Sequence, residues 1–375
     1  MKRFLSITLI LYLLTGCNST DKSVEKSLRL YVDLDVPSTP LNELFDSIKV
    51  IPLETNDNSL IVYPVQINIY NDTICLFDNH TKTISIFSLN GKFIRTIGNK
   101  GNGPGEYTYI SGYSINKNNG NIRLLSFHNY LEFTSKGQYI QDKRLPPENS
   151  NYQSLFDLNG KLVSSTIPKD SKEYCISIIN PRTIEIDTQF VKGSKIIKTI
   201  SNELYQYDNK VYYAQTLENQ NVYEIGKDTL KPAYHWDFGK RNFFANQLDL
   251  SYEDENINIE HQRMHNYLAD GTIPYWIVRQ GQNKDYYYAH LREHPYIGRS
   301  IFYRKKDGRY FIIGKEKEDV QIPHTIFLAD EYLVYPIYYR DYLKYKTILP
   351  ESEYKKLEAL TEDDNPCLLK LYFKK

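Results

Sequence analysis

Short apolar runs separated by turn residues recur from about residue 60 to the C-terminus. The first stretch is the clearest: Val65 to Ile69, Thr73 to Asp78, Thr83 to Phe87 and Lys92 to Ile97 read as four strands. Asn71-Asp72 separates the first two, and Asn90-Gly91 the last two. Asn-Gly between alternating runs is a strong hairpin signal, because a tight two-residue turn needs positive φ at both positions. Four antiparallel strands in so short a span make a unit the size of a propeller blade.

The unit recurs, less sharply, from Tyr109 to Gln141, from Tyr152 through Asn159-Gly160 to Val191, and from Ile197 through Asp208-Asn209 to Phe238. Tyr275 to Gly314 supplies a fifth unit, with Asp307-Gly308 at its last hairpin, and Thr325 to Tyr339 two strands of a sixth. Strands are left over at both ends: Leu28 to Asp35, Ser47 to Leu53 and Cys367 to Phe373. A ring closed by pairing strands of both termini in its last blade has no free edge, so both sets of leftover strands are expected there. The pattern thus predicts an all-β, six-bladed propeller over residues 28–375.

Two segments depart from strand periodicity. Residues 241–272 read as an insertion of loop and short helix, with Ser251 and Asp254 at a helix start and Ile257, Met264, Tyr267 and Leu268 as its apolar set. Residues 350–360 read as a better helix: Pro350 precedes it, Glu351 and Glu353 sit in its first turn, and Tyr354, Leu357 and Leu360 share a side.

The run Gly91-Lys92-Phe93-Ile94-Arg95-Thr96-Ile97-Gly98, followed by Gly101-Asn102-Gly103-Pro104-Gly105-Glu106-Tyr107, resembles a family of six-bladed propeller lipoproteins of Bacteroidetes, related in architecture to NHL-repeat propellers. Phe45 to Thr55 and Asp364 to Leu368 support the resemblance, which spans nearly the whole chain after residue 27. It implies a fold and a compartment, and no defined activity.

The N-terminus agrees with that compartment. Lys2 and Arg3 precede an apolar run from Phe4 to Leu14, and Leu14-Thr15-Gly16-Cys17 has the form of a lipobox. The run is shorter than the roughly 20 residues a spanning helix needs. Residues 1–16 therefore read as a lipoprotein signal peptide, Cys17 as the acylated (palmitate-bearing) first residue, and residues 17–27 as a polar tether. The expected place is the cell envelope, outer membrane ahead of inner, outside the cytoplasm.

Composition narrows the partners. Lys plus Arg and Asp plus Glu are 46 each, which gives no basic footprint for nucleic acid. The 34 tyrosines suit half-buried strands. Cys75, Cys175 and Cys367 lie in apolar runs and read as small buried side chains, with a disulfide between two of them as the alternative.

Few motifs carry chemistry. The loop from Gly98 to Tyr107 is rich enough in glycine to form an anion-holding nest, although it reads first as an inter-blade turn; it is not a P-loop, having no Gly-Lys-Ser/Thr. In a propeller, inter-blade connections and the loops between second and third strands share a face. Asp78, Asn79, His80 and Lys82 are therefore expected beside Arg95, Gly103, Gly105, Glu106 and Tyr107 as a candidate binding surface. His290-Leu291-Arg292-Glu293-His294 matches a zinc-protease pattern that works on a helix, but Tyr286 to Tyr288 and Pro295 point to strand, so these read as solvated histidines. His261-x-x-x-His265 lacks the glutamate, Gly-x-Ser-x-Gly is absent, and Tyr286 to Tyr288 read as packing between blades before sugar stacking. No catalytic residue and no cofactor is assigned. The expectation is a binding module for a carbohydrate, peptide or protein. The alternatives are a lactonase-type enzyme with calcium held at the channel mouth, Asp78, Asn79 and Glu106 being candidates for part of its ligand set, and a passive envelope scaffold.

Overall fold

The computed structural model describes residues 27–126, 129–146, 152–166, 168, 172–193, 203–214, 220–243, 265–294, 297–314 and 320–375. Residues 1–16 and Cys17, expected to be a signal peptide and the acylated residue, lie outside them, as do residues 18–26 of the expected tether and His261.

Six antiparallel sheets form the ring. The first blade is Pro64–Tyr70, Thr73–Asp78, Thr83–Ser88 and Phe93–Thr96; the second is Gly112–Ile115, Ile122–Ser126, Asn129–Phe133 and Tyr139–Arg144. The third is Tyr152–Leu158, Lys161–Thr166, Tyr174–Ile179 and Ile186–Lys192; the fourth is Glu203–Tyr207, Lys210–Ala214, Asn221–Ile225 and Leu230–Asp237. The fifth is Trp276–Gln282, Tyr286–His294, Ile297–Arg304 and Tyr310–Ile313. The first strand of every blade lines the central channel.

Turn chemistry sets the hairpins. Asn71-Asp72, Asn159-Gly160 and Asp208-Asn209 each carry positive φ at both residues and join first to second strands, as tight two-residue turns require. Asn90-Gly91 differs from expectation: Gly91 alone has positive φ, +84°, within a three-residue loop closed by Gly91 N–H to Ser88 O and Ser88 N–H to Lys92 O, 2.9 Å each. A side chain on Gly91 would collide with the Pro52 carbonyl, so glycine is required twice over at this contact with the sixth blade.

The sixth blade closes the ring with chain from both ends. Its order from the channel outward is Phe327–Leu328, Tyr332–Ile337, Cys367–Phe373 and Phe45–Pro52. The helix Glu351–Glu358 covers its outer edge: Glu353 accepts the Val50 N–H at 2.6 Å, and Tyr354 and Leu357 are buried. An otherwise open ladder group is thereby satisfied.

Leu28–Tyr31 does not join this blade as the pattern predicted. It adds a parallel fifth strand to the fourth blade, Leu28 opposite Tyr234 and Tyr31 opposite Asp237. Arg29 pairs with the buried Asp237 carboxylate, and Leu30, Val32 and Leu34 pack with Trp236 and Tyr275 between the fourth and fifth blades. Strand propensity was legible; the choice of edge depended on this long-range ion pair and apolar slot.

Cys75, Cys175 and Cys367 are buried thiols that form no disulfide, with Cys75 pushed up to about 12 and Cys367 to about 11 by burial. The alternative of a disulfide therefore does not hold. Tyr286 and Tyr288 are buried in inter-blade packing, Tyr286 stacking on Phe373 at 5.0 Å. Residues 265–269 of the insertion are helical, and Leu268 packs with Ile273 and Trp276; Ser251, Asp254, Ile257 and Met264 lie outside the described residues. Among the described residues no helix is long and apolar enough to cross a membrane.

Candidate functional site

The inter-blade connections and the loops between second and third strands lie on one face, the loop face. There the Asp78 turn opens the first blade. Asp78 is fully buried, and its carboxylate accepts from Val62 N–H at 2.7 Å, Tyr63 N–H at 2.5 Å, His80 N–H at 2.9 Å, Thr81 N–H at 2.7 Å and the Thr81 hydroxyl at 3.1 Å. Five donors fill both oxygens. Asn79 and His80 are exposed; Lys82 donates to Asn79 Oδ1 at 2.5 Å and lies 4.9 Å from the Tyr109 ring.

The glycine-rich loop takes another course. Its nest is filled from within: Glu106 accepts the Gly103 N–H at 2.8 Å and occupies the space a side chain at Gly101 would need. Gly105 abuts the Tyr139 ring, and Arg95 donates to the Lys136 carbonyl, both in the outer hairpin of the second blade. Tyr107 is buried, its phenol pushed up to about 12 by burial. The loop thus runs along the rim between two blades, and the expected meeting of Arg95 and Glu106 with the Asp78 turn is not formed.

A cavity of about 480 Å³ opens on the same face between the fifth and sixth blades. His290-Leu291-Arg292-Glu293-His294 forms one wall as a strand, so alternate side chains part. His290, Arg292 and His294 face the cavity, whereas Leu291 joins the core and Glu293 pairs with Arg299. Gly298, opposite Arg292 in the ladder, leaves room for the His290 ring, whose Nε2 a side chain at 298 would strike. His324, on the connection between these blades, and Pro336, Tyr338 and Arg340, from the sixth blade, complete the enclosure.

Burial decides the charge of this site. His290, expected to be solvated, is 5% exposed and held well below the usual imidazole range by burial and by the charges of His324 and Arg292; its Nδ1 lies 3.0 Å from Ser300 Oγ. His324 falls to about 4 through burial and the neighbouring Arg292 and Arg279 guanidiniums. Burial also lowers Arg292 and lifts Tyr338 to about 12. No carboxylate backs His290, so the Ser300-His290 contact is not a triad among the described residues.

These shifts predict acid sensitivity. Below pH 6.5 the unfolded imidazole of residue 324 takes up a proton that the folded one refuses until about pH 4, so stability is full above 6.5 and falls through that window. His290 acts in the same direction. The thermal midpoint should drop between pH 7 and pH 5, and His324→Gln should flatten the slope; an unchanged profile in that variant would show that His324 is not neutral when folded.

A second cavity of about 440 Å³ occupies the opposite mouth of the channel, lined by Gln66, Asn68, Gln206 and Gln282 with Lys117 and Asp330. Among the described residues no group of three or more His, Cys, Asp or Glu stands close enough to hold a metal ion.

Structural relatives share the ring. The fold is similar to that of a Bacteroides fragilis protein designated as exported: TM-score 0.73 at 18% identity, over 93% of this chain and 100% of that one. It is also similar to a member of the DUF4221 family from Bacteroides vulgatus, TM-score 0.54 at 10% identity, over 88% of this chain and 97% of that one. Among curated proteins none matches the sequence. The model of a domain of unknown function, DUF4934, matches residues 31–372. That match runs from the parallel strand of the fourth blade to the closing strand of the sixth, and the chain belongs to the DUF4934 family.

Proposed function

We propose that this protein is a lipid-anchored, extracytoplasmic binding module whose ligand docks on the loop face between the fifth and sixth blades. The cavity there carries the reading: it is concave, partly apolar, and lined by polar side chains converging from two blades, as small-ligand sites are. The lipobox ending at Cys17 and the exported designation of the Bacteroides fragilis protein of like fold support the compartment. A protein partner is the second reading, favoured by Tyr339 and Leu343, which stand 50% and 78% exposed on the same face.

Two measurements test it. Cys17→Ala should release folded protein into the soluble extracytoplasmic fraction and abolish palmitate labelling; retention of the label would remove the anchor. A thermal-shift screen with sugars, short peptides and metal ions should find a stabilising class whose effect Tyr338→Ala weakens about tenfold, the loss of roughly 1.4 kcal/mol expected for one lining aromatic. Stabilisation that ignores Tyr338 would move the site elsewhere.

A further inference from the structure

Among the described residues the two buried arginines are paired with carboxylates, Arg299 with Glu293 and Arg123 with Asp157 at 2.7 Å, and the half-buried Arg304 pairs with Asp307 at 2.6 Å. The half-buried Arg292 is the exception on the loop face. Among the described residues it has no carboxylate partner; its guanidinium lies 5.9 Å from the Trp276 ring and faces the cavity. We propose that the cavity binds the carboxylate of a small organic acid, with Arg292 as its counter-ion. This rests on the reading of that cavity as the ligand site and names the chemistry it selects.

Charge and shape point the same way. Arg292, Arg340 and Lys344 line the cavity with one carboxylate, Asp341, which Lys344 already engages at 2.9 Å and Arg340 approaches at 3.7 Å. A cation or a basic ligand would meet unbalanced positive charge. A guanidinium presents paired N–H donors that match the two oxygens of a carboxylate. Holding it away from water without a counter-ion is unfavourable, as the lowering of Arg292 by burial records, and an arriving anion relieves that.

The histidines and the walls refine the class. Held neutral, the His290 and His324 imidazoles each carry an N–H they can donate to an oxyanion without adding charge. His290 keeps its Nε2 on the cavity side, against Gly298. Pro336, Ile337 and Tyr338 give the cavity an apolar wall, and its volume of about 480 Å³ exceeds what a bare inorganic anion fills. An organic body carrying the carboxylate matches both. A sugar acid and the C-terminus of a short peptide share that chemistry.

The test uses the full chain carrying Cys17→Ala and four probes at pH 7: glucuronate, glucose, N-acetylglycine and sulfate. Binding is followed by thermal shift and titration calorimetry. Glucuronate or N-acetylglycine, at saturation, should raise the melting midpoint by about 2–5 °C, and glucose should not. Whichever carboxylate acts better assigns the source. Arg292→Gln should weaken that binding at least tenfold, and Arg292→Lys less.

Arg292→Gln supplies a readout that needs no ligand. Removing an unpaired, desolvated cation should leave the unliganded protein's midpoint unchanged or higher, as residues kept for binding often behave. A fall of several degrees would make Arg292 a structural residue and overturn the proposal. Equal binding of glucose and glucuronate, insensitive to Arg292→Gln but lost in Tyr338→Ala, would overturn the carboxylate while leaving the cavity as the binding site. Binding of sulfate alone would overturn the organic acid. Probe binding indifferent to both residues would sink the two readings together.

Discussion

Deleting Cys367–Lys375 should leave no cooperatively folded ring. The strand Cys367–Phe373 lies between Tyr332–Ile337 and Phe45–Pro52 and carries two of the three ladders of the sixth blade. Cys367, Leu368, Leu369 and Leu371 are fully buried, and Phe373 packs on Phe45 at 5.0 Å. Each large apolar side chain contributes about 1.5–3 kcal/mol of burial, so removing four of them rivals the roughly 5–15 kcal/mol that holds a typical domain together. The loss also strips Phe45–Pro52 of its partner and exposes two sheet edges, which invites aggregation. A thermal melt and size-exclusion profile should show no sharp transition and no monomer peak. A cooperative melt within a few degrees of the intact chain would mean that closure contributes little.

Asp78→Ala should be the most damaging single substitution on the loop face. Its carboxylate gathers five donors, four of them backbone N–H groups. An abandoned buried donor costs about 1–3 kcal/mol, and allowing for rescue of some by water the net loss is roughly 3–4 kcal/mol. That should lower the melting midpoint by about 6 °C or more for a chain of this size. Asp78→Asn should lose less, because the shape is kept and one oxygen still accepts. Urea unfolding of the three proteins gives the comparison. Near-equal stability of Asp78→Ala and the parent would show that these donors find other partners, and would return Asp78 to the set of ligand-binding candidates.

The sequence carried much of the fold because a propeller is a local structure repeated. Asn71-Asp72, Asn159-Gly160 and Asp208-Asn209 mark their turns by residues that tolerate positive φ, and the apolar runs between them alternate with the strand period. Closure through Phe45–Pro52 and Cys367–Phe373 was legible as leftover strands. The pairing of Leu28–Tyr31 with the fourth blade was not, since it depends on Arg29 meeting Asp237 across some two hundred residues.

The cavity was harder to read for the same reason. Strand alternation over His290, Arg292 and His294 was available in the sequence and places three side chains on one face. What that face looks onto depends on His324 and Tyr338, brought there by the next blade. Conversely, Asp78 and Glu106 look like free carboxylates in the sequence and are engaged by their own loops. Polar residues near turns are often spent on the turn itself.

The parallel strand on the fourth blade also sets an orientation. Leu28 pairs at mid-height with Tyr234 and Tyr31 at the loop-face end with Asp237, so the chain climbs toward the loop face. It therefore arrives from the opposite side, the side of the glutamine-lined channel mouth. On the proposed anchor at Cys17, the ten residues Asn18 to Ser27 reach at most about 35 Å when fully extended. On that anchor the glutamine-lined mouth is the face nearer the tether, and the cavity that Arg292 lines opens on the far one.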